Sequence, residues 1–108
     1  MKSNYYYSVI FSNTLSELDD DRYHEFSNQM LELVQKADGF LGVESYRERS
    51  GRGVTISYWQ SLLAIKKWKE NAHHLLAQRY GKEIAYSQFT TRICEVQREY
   101  NFEKEKEN

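Results

Sequence analysis

The sequence predicts one small α+β domain whose four strands and two helices follow the order β-α-β-β-α-β. Three observations carry this. Four segments alternate in polarity, as strands do. Two longer segments space apolar residues three and four apart, the period of an amphipathic helix. The turn Ser50-Gly51-Arg52-Gly53 joins two of the strands directly, since two glycines permit positive φ. At 108 residues the chain has the size of one ordinary domain and can bury a core without cross-links. We read residues 1–102 as that domain and the charged run 103–108 as a frayed tail.

The first strand is expected from Tyr5 to Ser12, with Tyr5, Tyr7, Val9 and Phe11 on one face and Tyr6 and Ile10 on the other. Residues 13–18 read as a loop. Asp19-Asp20-Asp21 opens the first helix, because carboxylates suit the positive end of a helix dipole. Its stripe is Tyr23, Phe26, Met30, Leu33, Val34 and Ala37, and Gly39 stops it. The second strand is expected from Leu41 to Arg49 and the third from Val54 to Trp59. Ser61 is placed to cap a second helix, with Ala64, Ile65, Trp68, Ala72, Leu75 and Leu76 as its stripe and Gly81 as its stop. The last strand runs from about Ser87 to Arg98. It sets Phe89 and Ile93 on one face and Cys94 and Val96 on the other.

Composition removes several functional classes. The net charge is -1 and the pI near 6.3, without the basic excess of a nucleic-acid binder. The same element order hosts RNA-recognition motifs, and Arg52-Gly53-Val54-Thr55-Ile56 begins like their third strand. Val54 and Ile56, however, stand where bases would stack on aromatics. One cysteine, Cys94, makes no internal disulfide and reads as a buried inert thiol. The N-terminus lacks a signal-peptide pattern and no apolar run approaches the ~20 residues that span a bilayer, so no membrane is expected and the cytoplasm is the default location. His73 and His74 are adjacent on a helix and point about 100° apart, and His24 stands off its stripe, so no metal site is expected.

The β-α-β-β-α-β order is the ferredoxin-like pattern, an antiparallel sheet with both helices on one face. The other face is not polar either, since strand three carries Val54, Ile56 and Tyr58 on one side and Trp59 on the other, and strand one behaves likewise. An apolar face of that extent marks a partner surface, and a second copy of the chain is the simplest partner.

From Tyr5 to about Phe102 the chain resembles the antibiotic biosynthesis monooxygenase (ABM) domain. The resemblance rests on Asp38-Gly39-Phe40-Leu41-Gly42-Val43, on Ser57-Tyr58-Trp59-Gln60-Ser61 followed by Ala64, Ile65, Trp68 and Lys69, on His74, Ala77 and Gln78, and on Thr91-Arg92-Ile93 with Val96. It implies a dimeric α+β barrel, two sheets stacked face to face. It also implies a pocket between each sheet and its helices. Some members of that family oxidise aromatic polyketide phenols without flavin, haem or metal, and others degrade haem. The fold alone does not choose between them.

The resemblance implies that Trp68 orients a planar substrate, with Gln78 and Tyr58 hydrogen-bonding it as catalytic candidates. Trp59, Tyr6, Arg92 and Phe26 are the substrate-binding candidates. Each has a plainer reading: Trp68 as the centre of a core stripe, strand arginines as cross-strand ion pairs. Haem degradation is disfavoured on two counts. Gln78 stands where those relatives carry the iron-ligating histidine, and glutamine is a poor haem ligand. Their first strand also carries an internal asparagine, whereas Asn4 and Asn13 are expected at the strand's ends. The expected activity is therefore insertion of one oxygen atom into a small planar molecule without a bound cofactor, the alternative being a non-catalytic ligand-binding or stress-associated dimer.

Overall fold

The structure, a computed structural model, describes residues 5–16, 21–80 and 86–105, with the side chains of 21–22 and 74–80 outside the description. The order is β1 (Tyr6–Leu15), α1 (Asp21–Val34), β2 (Phe40–Arg47), β3 (Arg52–Trp59), α2 (Leu62–Tyr80) and β4 (Tyr86–Val96). The strands form one antiparallel sheet in the spatial order β2-β3-β1-β4. This is the expected fold class. Residues 19–20 and 81, assigned to the helix start and stop, lie outside the described residues.

β1 runs three residues further than its sequence suggests. Asn13 and Thr14 are polar and read as loop, but they continue the pairing of Ser12–Val54 with β3 as Asn13–Gly53 and Thr14–Arg52. The Leu15 amide then donates to the Gly51 carbonyl at 3.0 Å. Pairing on both sides overrides a weak local preference. α1 stops at Val34 rather than Ala37, because its end tightens into three-residue hydrogen bonds, Lys36 to Leu33 and Ala37 to Val34. Gly39 then takes φ +79°, and a Cβ there would lie 2.7 Å from the Ala64 Cβ. Glycine is thus required both for the turn and for the approach of α2. Ser61 caps α2 as expected, its Oγ accepting from the Ala64 amide at 3.1 Å.

Both helices lie on one face of the sheet. The core there is Val34 from α1, Trp59 from β3, and Ala64 and Ile65 from α2, with Tyr7, Val9, Ala37, Phe40 and Trp68 packed around it. Trp59 is its centre. It is 0% exposed, lies edge-on to Phe40 at 5.4 Å and faces Trp68 at 6.2 Å. Its indole N–H donates to Ser57 Oγ at 2.8 Å. This core is small. The radius of gyration is 15.9 Å, against about 13 Å for a compact chain of this length.

Candidate functional site

The pleat sends alternate residues to opposite sides, and the register sorts them. Facing the helices are four cross-strand rows: Phe40–Trp59–Tyr7–Glu95, Val43–Ser57–Val9–Ile93, Ser45–Thr55–Phe11–Thr91 and Arg47–Gly53–Asn13–Phe89. The core takes Phe40, Trp59 and Tyr7 from the first row and Val9 from the second. The last three rows carry hydroxyls, an amide and a guanidinium where a filled interior would be apolar. On the same side Phe89 and Ile93 are 53% and 50% exposed, and Ser45 and Thr91 are also exposed. A helix-facing surface that stays wet is the floor of an open cleft, and apolar floors with a few polar groups are where small molecules bind.

The polar end of this cleft is built around Arg47. Its register partner is Gly53, and a Cβ at Gly53 would meet the Arg47 guanidinium carbon at 2.7 Å. The missing side chain lets the guanidinium cross β3 and reach β1, two strands away. There Nη2 donates to Asn13 Oδ1 at 2.7 Å and to the Tyr23 hydroxyl at 3.2 Å, and Nη1 donates to the Gly51 carbonyl at 2.7 Å. Gly51 aims that carbonyl by adopting φ 96°. Asn13 is 5% exposed and its Nδ2 donates to the Phe11 carbonyl, so its orientation is fixed. All of Arg47's partners are neutral acceptors, and among the described residues none is a carboxylate. A guanidinium that meets only neutral acceptors among the described residues can take an anion, because its planar fork matches oxyanion geometry.

Aromatic rings continue the wall. Tyr23 lies under Arg47, with the guanidinium carbon 5.8 Å from its centroid. The Tyr23 and Tyr86 hydroxyls are 3.3 Å apart. Phe11 packs edge-on to Tyr86 at 5.2 Å and tilted against Phe89 at 5.5 Å. A bulge puts both Tyr86 and Phe89 on this side, since Tyr86 pairs with Leu15 while Gln88 pairs with Thr14.

The sequence-predicted site residues do not gather in one place. Trp68 is half-buried against the core and Phe26 half-buried on α1, both on the helix side. Trp59 is also on that side, but sealed, so it supports the site from the core instead of lining it. Tyr6, Tyr58 and Arg92 are corrections. Tyr58 precedes Trp59 on one strand, and neighbours on a strand point to opposite faces. All three therefore lie on the open face, away from the helices. The side chain of Gln78 lies outside the described residues. Asn13 is a further correction: it sits inside β1, on the cleft side, and not at the strand's end. Among the described residues, no three His, Cys, Asp or Glu side chains gather to hold a metal ion. No helix there is long and apolar enough to cross a membrane. Cys94 is half-buried on the open face.

The open face has its own polar network. Glu44 accepts from Tyr58 at 2.6 Å and from Tyr46 at 2.9 Å. These bonds, Tyr58's first, hold its carboxyl below the ordinary range. Tyr58 is pushed up to about 12, chiefly by the bond to Glu44 and then by burial. The folded value lies above the ordinary 10.0, so this contribution to stability is complete below pH 10 and is lost as the pH rises through about 12. In an alkaline titration of tyrosinate absorbance, Tyr58→Phe should remove the last inflection, and an unchanged curve would refute the assignment.

Comparison with known proteins follows the same lines. The family described as antibiotic biosynthesis monooxygenase matches residues 7–80. The chain is 41% identical over 99 residues to the uncharacterized protein YqjZ of Bacillus subtilis, covering 92% of this chain and 86% of that protein. It is 23% identical over 92 residues to the jasmonate monooxygenase ABM of Pyricularia oryzae, covering 83% of this chain and 43% of that protein, less than half of the relative's length. SnoaB, a cofactor-independent oxygenase from Streptomyces nogalater, superposes with a TM-score of 0.61 at 12% identity, over 92% of this chain and 98% of that one. The likeness to SnoaB is one of fold.

Proposed function

The chain belongs to the antibiotic biosynthesis monooxygenase family, and from that premise we propose that it is a cytoplasmic, cofactor-independent monooxygenase acting on a small planar molecule with an ionisable hydroxyl. The observation that carries this is Arg47, held across Gly53 by neutral acceptors at the end of an aromatic-lined cleft. Oxygenation without a cofactor needs an electron-rich anion that passes electrons to dioxygen itself. Arg47 favours the ionised phenol, because a preorganised charged donor aimed at the anion lowers the barrier to such a step. The Tyr23–Tyr86 hydroxyl pair lies beside it as a hydrogen-bonding and proton-holding group. Trp68 orients the ring plane, and Gln78 is a further hydrogen-bonding candidate from α2. One oxygen atom enters a ring carbon and the other leaves as water. The two hydrogens of that water come from the ring C–H and the phenol O–H, so the substrate ends as a quinone.

Matched aerobic and anaerobic incubations with quinols and polyketide phenols test this. Oxygen-dependent gain of one oxygen atom in the product, read by mass with labelled dioxygen, is the expected result. Saturable binding with no oxygen-dependent product on any of them would replace it with the second reading, a non-catalytic ligand-binding dimer. That reading draws on the same cleft and on the hydroxyl-lined floor, which suits binding as well as turnover. In both readings the protein is a homodimer through its open sheet face. The row Glu44–Ile56–Ile10–Arg92 supports this: apolar at its centre and oppositely charged at its ends, it is self-complementary under a two-fold rotation.

A further inference from the structure

We infer that Asn13 and Tyr23 make the Arg47 site selective for an anion that presents a single oxygen, a phenolate or an enolate, over a carboxylate. The inference rests on the anion site read at Arg47 and names what that site chooses. A guanidinium holds five N–H groups in one plane, one on Nε and two on each Nη. It grips a carboxylate with two parallel N–H groups, taken either from the Nε–Nη2 edge or from the Nη1–Nη2 edge. Both edges draw on Nη2.

In this protein Nη2 has no hydrogen left to give. One goes to Asn13 Oδ1 at 2.7 Å and the other to the Tyr23 hydroxyl oxygen at 3.2 Å. Nη1 spends one of its own on the Gly51 carbonyl at 2.7 Å. Among the described residues, what Arg47 still offers is the Nε–H and one Nη1–H, which share no edge. Arg47 is exposed, so a ligand can reach these two groups. An entering anion meets the full charge of the guanidinium but only single N–H groups.

The two acceptors on Nη2 are held in place. Asn13 is buried, and its Nδ2 donates to the Phe11 carbonyl at 3.2 Å, so its Oδ1 is the end that faces Arg47. Tyr23 is buried too, and the guanidinium carbon stands 5.8 Å from the centre of its ring. A carboxylate that brought its second oxygen to Nη2 would set it against the oxygen of Asn13 or of Tyr23, acceptor against acceptor. A phenolate has no second oxygen on the same carbon, and it loses nothing at such a site. The selectivity comes from what the wrong anion meets, with no added attraction for the right one.

Equilibrium dialysis of the full chain against para-nitrophenolate and para-nitrobenzoate, at a pH where both are ionised, tests this. The two probes share a ring and differ in the anion. The phenolate should bind about 10-fold tighter or more, the scale of one charge-assisted hydrogen bond. Arg47→Gln should bring the two affinities together. Tyr23→Phe and Asn13→Ala each release a different Nη2 hydrogen, and one of those hydrogens lies on the edge shared with the unspent Nε–H. At least one of the two variants should therefore gain affinity for para-nitrobenzoate and narrow the preference, whereas a merely structural role predicts loss for both probes. A benzoate that binds the parent as tightly as the phenolate overturns the selectivity and leaves the anion site standing. A preference that neither variant narrows overturns the roles of Asn13 and Tyr23. Binding of neither probe overturns the anion site, and the selectivity falls with it.

Discussion

Trp59→Ala should destabilise the protein by about 4 kcal/mol, as large-to-small substitutions at sealed aromatic sites do. The size follows from position. Trp59 is the one fully buried large side chain among the described residues, and it holds Phe40, Trp68, Ile65 and Val34 to a common centre in a core with few other members. Removing the indole leaves a cavity that neither β3 nor α2 can close, because Gly39 already sets the approach of α2 at Ala64. A domain of this size loses about 4–8 °C of Tm per kcal/mol, so the melt should fall by well over 10 °C. Trp59→Phe keeps most ring contacts and loses the hydrogen bond to Ser57, and should cost about half as much. Urea unfolding at one fixed protein concentration measures both. Equal stability of the alanine variant and the parent would mean that the helices are held to the sheet elsewhere.

The fold was legible because its signals are local. Strand alternation, helical stripes and the Gly51–Gly53 turn each lie within one segment, and together they define the element order. The face assignments were legible too: the pleat already separates Tyr58 from Trp59. Residue type and resemblance pick out Tyr6, Tyr58 and Arg92, but neighbours on one strand cannot share a pocket, and the register sets these three on the face away from the helices. Arg47 is, with Arg49 and Arg92, one of three strand arginines that the sequence leaves able either to stabilise a phenolate or to form a cross-strand ion pair. Its role depends on Gly53 standing opposite it and Asn13 standing one strand further. Such a row exists only once the register is known, and Asn13-Thr14 hides part of it by looking like a loop. The available signal was a small one: glycines at 51 and 53, of which only 51 takes positive φ. The second glycine has another purpose, to leave room.

Arg47→Gln should lower kcat/KM on an ionisable phenol about 100-fold, the scale of losing one preorganised charged donor to a developing anion. The same change removes a donor from Asn13, which is buried, so some loss of stability is expected alongside, about 1–3 kcal/mol. A second variant separates the two effects. Asn13→Asp gives Arg47 a carboxylate partner at the same position, replacing a neutral bond by a charge-assisted one at the loss of the donation to the Phe11 carbonyl. The guanidinium stays where it is, but its charge is balanced and the end of the cleft no longer favours an anion. If Arg47 acts through its charge, both variants should lose turnover, and the loss in Asn13→Asp should occur with the guanidinium still in place, beyond what its own loss of the Phe11 hydrogen bond costs in stability. The pH dependence should move as well: the substrate hydroxyl, no longer held ionised, should require a higher pH for half-maximal kcat/KM in either variant. Full activity in Asn13→Asp would mean that Arg47 merely props β1 against β2, and the electrostatic role assigned to the cleft would be lost with it.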